Sequence, residues 1–377
     1  MWANIGLFMA LFLIPSLSQG NLLLSRPSVD RYLSKFSTHE ADLQKGIDWG
    51  VVPGPFYTPE LGIGIGVAAV GFYHADDHPQ SSPLSSLSLT GFGSSTGAFG
   101  VGYDNDTFFH QDRWRFFLNG ELSHRPLDYW GVGYQAGRHQ RGKQSYDARS
   151  VTMTPKILYR LGANTYVGMG GSFDDQKATG LEKKASGSFF QHPVRLHEMN
   201  VGASLLFSFD TRDVTINPSR GQLLNISYTR YTPALGSDNR FDVWDTQYDL
   251  YHPLDPTTLL AWELYGRFAG GDVPWTMTGF LGDSHHLRGY YEGRYRDRNI
   301  VTTQLELRKK LSWRHGVVAW VGAGSMSSDV HDVADGNWLP SVGVGYRFQI
   351  KKSMNLRFDY GVGEKSTGFY FQVGEAF

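Results

Sequence analysis

From Leu61 to the final residue, apolar and polar side chains alternate one by one in segment after segment. In Val301–Leu311, Val301, Thr303, Leu305 and Leu307 oppose Thr302, Gln304, Glu306 and Arg308. Met354, Leu356, Phe358 and Tyr360 likewise oppose Asn355, Arg357 and Asp359. Gln222–Thr229 sets Leu224, Ile226 and Tyr228 against Asn225, Ser227 and Thr229, and Arg113–Ser123 sets Trp114, Phe116, Leu118 and Leu122 against Arg115, Asn119 and Glu121. A period of two is that of a β-strand, and one face of each segment suits lipid while the other suits a polar lumen. A soluble sandwich needs the reverse, an apolar interior and a wet polar face.

The pattern predicts sixteen strands, near 61–74, 86–94, 96–105, 112–124, 128–137, 148–162, 165–175, 197–210, 221–232, 240–253, 257–270, 300–312, 316–327, 338–350, 353–363 and 367–377. Short connections are expected near Arg125–Pro126, Gly162, Asp255–Pro256, Ser312–Gly316 and Lys351–Lys352, and mostly longer ones at 75–85, 138–147, 176–196, 271–299 and 328–337. Short periplasmic turns and longer external loops alternate in this way in outer-membrane barrels. The predicted fold class is therefore all-β, a transmembrane antiparallel β-barrel of about sixteen strands. An even strand number puts both chain ends on the periplasmic side, and Asp210–Arg220 is a long turn among the short ones.

Before the alternation begins, Ile5–Ile14 is an apolar run followed by Pro15 and small residues to Gly20. About ten apolar residues are too few for a transmembrane helix and fit a secretory signal peptide over 1–20. Residues 21–50 are polar and poor in glycine, a periplasmic N-terminal segment in which Ser28 can cap a short helix ending at Gly46, and 51–377 is the barrel domain. Composition agrees: Gly 45, aromatics 14% and charged residues 19% are too aromatic and too well punctuated for disorder. A net charge of −1 leaves no electrostatic footprint for nucleic acid. Zero cysteines exclude disulfides, thiolate metal sites and a cysteine nucleophile. A mean hydropathy of −0.33 is compatible with strands that are apolar on one face only.

The segment Leu287-Arg288-Gly289-Tyr290, in the longest external loop, resembles the conserved loop motif of the bacterial surface antigen, or BamA/TamA, superfamily of outer-membrane barrels. Asp210, Arg212, Asp213, Pro218 and Gly221 resemble that family's periplasmic turn, and Tyr129-Trp130-Gly131-Val132-Gly133 its aromatic-glycine strand start. Leu356–Asp359 and Phe371–Phe377 resemble its closing strands. Two departures stand out. About thirty residues between the signal and the barrel are too few for the family's periplasmic transport-associated repeats, so a barrel-only member is expected. Gly322 stands where the family often has an aspartate.

The resemblance implies that the long loop folds into the lumen, where Arg288 meets acids on the wall. Alternation points Glu306 and Asp359 inward, so they are its candidate partners. It implies as well that Phe369, Phe371 and Phe377, on one face of the last strand, form a C-terminal signal for the barrel assembly machinery. The expected function is insertion or translocation of a protein or lipid client at the outer membrane, among outer-membrane lipids, through a weakly closed seam between first and last strands. Leu61-Gly-Ile-Gly-Ile-Gly66 would loosen that seam. The alternatives are a passive or structural pore-like barrel without a client and an outer-membrane lipid hydrolase.

No cofactor, metal site or enzymatic activity is expected. Gly93-Ser94-Ser95-Thr96-Gly97 matches Gly-x-Ser-x-Gly but lies between strands, whereas a nucleophile elbow joins strand to helix. Asp283-Ser284-His285-His286 holds the residue types of a hydrolytic triad, yet adjacent residues cannot line up as nucleophile, base and orienter. His74, Asp76, Asp77 and His78 read as a solvated loop.

Overall fold

A computed structural model describes residues 46–76, 82–182, 186–191, 194–215, 217–312, 314–351 and 354–377. The signal peptide expected at 1–20 and the helix expected after Ser28 lie outside the described residues. The strands are β1 Asp48–Thr58, β2 Gly62–Tyr73, β3 Ser85–Ser94, β4 Phe99–Phe109, β5 Trp114–Tyr129, β6 Gln144–Gly162, β7 Thr165–Thr179, β8 His197–Asp210 and β9 Gly221–Tyr231. They continue as β10 Phe241–Asp255, β11 Thr258–Gly271, β12 Gly279–Leu281, β13 Tyr295–Asp297, β14 Asn299–Ser312, β15 His315–Ser327, β16 Leu339–Lys351, β17 Met354–Gly363 and β18 Ser366–Val373. Sixteen of them form one antiparallel sheet in chain order, with β11 paired to β14; β12 and β13 form a separate ribbon within the connection between them. Among the described residues no helix is long and apolar enough to cross a membrane.

The strand number matches the sequence reading, but two members differ. β1 precedes the first strand expected, at 61–74; it contains Pro53 and Pro55, and proline is tolerated in a strand where its missing N–H faces an unpaired edge. The strand expected at 128–137 does not exist. β5 runs through Arg125–Pro126 without a turn to Tyr129, then Gly131 (φ 104°) and Gly133 (φ 99°) swing the chain away into a short helix α1, Tyr134–Arg138.

This exchange moves the 74–84 connection from the expected external side to the end that bears the short turns. Asp76 accepts hydrogen bonds there from the backbone N–H groups of His110 (2.6 Å) and Gln111 (2.9 Å) in the β4–β5 turn. Arg160 N–H donates to the Arg113 carbonyl (2.9 Å), and Asp210 N–H to that of Asn164 (2.9 Å), at the same end. The opposite, loop end carries 130–143, 180–196, 232–240, 272–298 and 328–338.

The two faces divide as alternation predicts. Outward Ile65, Met169 and Leu205 are 69%, 64% and 65% exposed, which suits hydrocarbon. Inward Gln304, Glu306, Arg357 and Asp359 are all 0% exposed. Trp114 and Tyr159, 4.8 Å apart, belong to an aromatic girdle at the turn end.

No ladder of paired residues joins β1 to β18 among the described residues. Their contact is of another kind. Phe56 packs edge-on to Phe92 at 5.9 Å on the lumen side, which fixes the face of Gly54, while Phe371 packs tilted against Phe358 at 4.6 Å on the outer side. A Cβ on Gly54 would lie 2.5 Å from the Phe371 ring, so the lumen face of β1 laps over the outer face of β18. The glycine run 62–66 belongs to the second strand. Gly64 leaves room for the Phe56 ring there.

Candidate functional site: the folded-in loop and the lumen wall

The β12–β13 ribbon carries the 272–298 connection into the lumen. Leu281, Leu287, Tyr290 and Tyr295 pack with Ile300, Met326 and Leu339 of the wall, all nearly or fully buried. Burial of side chains of this size contributes roughly 1.5–3 kcal/mol each, so the loop is part of the core and not an appendage. Asp283 starts the tight turn at its tip, accepting from the backbone N–H groups of His285 (2.6 Å) and His286 (2.5 Å).

Leu287 (φ 51°) and Gly289 (φ 111°) present Arg288 to the wall. A Cβ on Gly289 would sit 2.9 Å from the Val362 nitrogen and 3.0 Å from the Gly361 carbonyl carbon, so only glycine allows this approach of loop to β17. Gly289→Ala is expected to lift the loop from the wall, and limited proteolysis should cut within 282–293 in the variant and spare the parent.

Arg288 is fully buried and reaches two carboxylates from two different strands. One guanidinium nitrogen is 2.5 Å from Glu306 of β14, and another pairs with Asp359 of β17. Its plane lies 3.7 Å from the centre of the Trp320 ring on β15. A planar, permanently charged fork that also stacks on an aromatic face is what arginine supplies and lysine does not. Trp320 occupies this wall position, while Gly322 beside it brings no carboxylate.

The pair belongs to a larger array. Arg308 binds the second oxygen of Glu306 (2.6 Å), Arg347 the second oxygen of Asp359 (2.5 Å), and Arg357 lies 3.7 Å from Asp359. Glu375 bridges Arg347 (2.7 Å) and Asn355 (2.6 Å). Backbone contacts complete the anchoring: Ser341 Oγ donates to the Arg288 carbonyl, and Gly289 N–H donates to the Tyr370 hydroxyl (2.9 Å). Tyr290 Oη donates to the Pro340 carbonyl (2.5 Å) and accepts from Glu364 N–H (2.8 Å). Five strands, β14 to β18, and one loop are thereby tied together on the lumen side.

Phe369 and Phe371 lie on β18, and Phe371 is on the lipid side. Phe377 does not share that face, contrary to expectation. At Gly374 (φ 97°) the chain leaves the strand and turns into the lumen. The Phe377 carbonyl accepts from Arg308 there (2.9 Å), with the guanidinium 5.3 Å from its ring. The Ala376 carbonyl bonds His285 Nδ1 at 2.7 Å. His286 Nδ1 lies 3.0 Å from Glu263, so Asp283, His285 and His286 each engage a different partner and are not strung together as a triad.

The turn motif is built at the opposite end. Asp210 receives Arg115 (2.9 Å) and Arg212 (2.9 Å), and Arg115 also stacks 3.8 Å from the Tyr166 ring centre. Gly221 (φ 104°) lies so close to the Thr211 backbone that a Cβ would fall 2.7 Å from its carbonyl carbon, and Pro218 is buried in the turn. Asp213 accepts from Val214, Ser219 and Arg220 N–H groups at 3.0, 2.9 and 3.3 Å and from the Ser219 hydroxyl. Partial burial works against its charge, and these donors outweigh it and hold its pKa below the usual range. A depressed folded-state value means that the stabilisation is present at neutral pH and lost as pH falls through it. Protease sensitivity of 211–220 should thus rise in acid below about pH 4, and Asp213→Asn should remove that pH dependence.

A buried loop arginine clamped between lumen acids and a glycine-proline turn beneath it are features of one kind of barrel. The family model described as the Omp85 superfamily domain matches residues 86–377. The chain belongs to the Omp85 superfamily. This Omp85 barrel is similar to the solved structure of BamA from Haemophilus ducreyi lacking POTRA domains 1–3, at 15% identity over 95% of this chain and 79% of that chain, with a TM-score of 0.55. It is similar to CdiB from Acinetobacter baumannii (12% identity, 95% and 69% covered, TM-score 0.57) and CdiB from Escherichia coli (11%, 96% and 72%, TM-score 0.56). At such identities the likeness concerns the fold. No curated protein sequence matches the chain.

The sequence reading of the Omp85 site omitted Trp320, Ser341, Arg347, Tyr370 and Glu375. Arg308 and Arg357 were visible on the inward parity of their strands, but nothing local told which acid each would meet.

Proposed function

We propose that this barrel resides in the outer membrane with its turn end toward the periplasm, and that it helps insert or translocate a protein or lipid client. The observation that carries this reading is the seam. Fifteen neighbouring strand pairs are joined by residue-by-residue ladders, four of them with a local break or bulge, whereas among the described residues β1 and β18 are joined by no ladder and lap over each other. An unpaired edge is a template for another strand. Pro53 and Pro55 share one parity, so both missing donors fall on the same edge of β1, and its intact ladder with β2 assigns them to the seam side. The Arg288 array then holds β14, β17 and the loop in place while the seam yields.

A passive pore is favoured by a different feature, a polar cavity of about 280 Å³ lined by Thr90, Asp104, Asn119, Glu121 and Thr152 on the side of the lumen away from the loop. Planar-bilayer recording separates the two. The client-handling reading expects small, flickering conductance from a plugged barrel, and a large steady pore would sink it. Lipid hydrolysis is tested by Ser284→Ala with His285→Ala and His286→Ala, where loss of a lipolytic activity would revive the enzyme alternative.

A further inference from the structure

The first and last strands share no ladder among the described residues, yet at the loop end both are tied to one short stretch of the folded-in loop. On one side of the seam, Gly289 N–H donates to Tyr370 of β18 (2.9 Å), and Tyr290 Oη accepts from Glu364 N–H (2.8 Å) in the β17–β18 turn. Gly363 leaves room there for the Tyr290 ring. On the other side, Glu292 N–H donates to Glu60 Oε1 (2.6 Å) in the turn between β1 and β2. Glu60 is 7% exposed, so its carboxylate is withdrawn from water onto a backbone donor of the loop. A hydrogen bond to an ionised acceptor is roughly twice as strong as a neutral one. Between these ties Tyr291 Oη accepts from Asp128 N–H (3.1 Å) at the loop end of β5 and packs edge-on to Trp130. Residues 289–292 therefore cross the seam on its lumen side, with a hairpin tip fastened at either end.

The turn end of the seam is built differently. β1 and β18 run in opposite directions. With Gly54 level with Phe371, β18 runs out at Val373, and Gly374 (φ 97°) turns the chain into the lumen. β1 starts at Asp48, so Trp49–Val51 reach past the end of β18. The tail after Gly374 is held by His285, Arg308 and Arg347, which lie on the loop, β14 and β16.

We infer that the folded-in loop is a clasp across the seam, which holds together the two hairpin tips flanking it at the loop end, so that the first and last strands part from the turn end. Glu60 is the positioning residue of this clasp. The inference rests on the reading of the seam as the part of the wall that yields, and it adds the direction in which it does so.

The test uses the full chain purified in detergent without a client, with pairs of spin labels whose separation is read by double electron–electron resonance. The chain lacks cysteine, so each pair can be placed alone. Ile63→Cys with Val362→Cys spans the loop end, and Val51→Cys with Leu356→Cys the turn end; all four share the lipid-facing parity of their strands. A narrow distance distribution is expected at the loop end and a broader one at the turn end. Glu60→Ala should broaden the loop-end distribution to the turn-end width, whereas Glu60→Gln, which keeps an acceptor oxygen for Glu292 N–H, should leave it narrow. Heat-modified gel mobility checks that each variant is folded. Equal widths at the two ends of the parent, an unchanged loop-end width in folded Glu60→Ala, or broadening in Glu60→Gln as great as in Glu60→Ala would overturn the clasp. No client enters these distances, so failure of the clasp and failure of client handling are read separately.

Discussion

Replacing Arg288 with alanine should destabilise the folded barrel by roughly 3 kcal/mol, because two buried carboxylates on separate strands lose a shared counter-ion. Arg308 and Arg347 still touch Glu306 and Asp359, which keeps the loss at the low end of what breaking a buried ion pair costs. The fork matters as much as the charge. Arg288→Lys retains a cation but can neither bridge two strands with paired N–H groups nor stack at 3.7 Å over Trp320, so it should recover less than half of the difference. The temperature at which heat-modified mobility changes reads out both variants. Parental behaviour in Arg288→Ala would mean that the array is decorative.

The seam should exchange its amide hydrogens at least about 1,000-fold faster than the middle of the wall. Amides in a continuous ladder open only with the global transition, whereas unpaired edges exchange by small local fluctuations. Peptides covering β1 and β18 are expected to label quickly, and those covering β9 and β10, whose register runs unbroken from Phe241–Tyr231 to Tyr251–Gly221, to stay protected. The chain lacks cysteine, so Gly54→Cys with Phe371→Cys can be bridged by a short bifunctional thiol reagent without side reactions. Bridging should slow exchange across β1 and β18 and leave the rest of the wall unchanged. Uniform protection around the barrel would mean that the lapped edges are as firmly held as any other pair.

Alternation made most of the fold legible, because a strand between lipid and lumen has no freedom to break its period. It failed where another constraint outranked that period. In β1, Pro53 and Pro55 mask the pattern, and they are tolerated because the edge they occupy has no partner. After Tyr129, Gly131 and Gly133 look like small strand residues and instead adopt positive φ to turn the chain. The two differences cancel in the strand count but reverse the side expected for residues 74–84, as the strand order and the contacts of Asp76 and Ser82 with the β4–β5 turn show.

Legibility of the site followed the same division. Parity alone set Glu306 and Asp359 toward the lumen, and family resemblance drew attention to Arg288. Arg288 lies 18 residues from Glu306 and 71 from Asp359, separations at which local pattern carries no information. Phe377 illustrates the limit most sharply. Its spacing from Phe371 fits a continuing strand, and a single glycine at 374 directs it into the lumen to meet Arg308.

The most direct test of client handling at the seam is in-cell photocrosslinking from Trp49 of β1 and Phe369 of β18, with Trp244 of β10 as the control position on the opposite wall. The account predicts a discrete protein or lipid captured from both seam positions and absent from the control. Capture that is the same at all three positions, or absent from the seam, would contradict it.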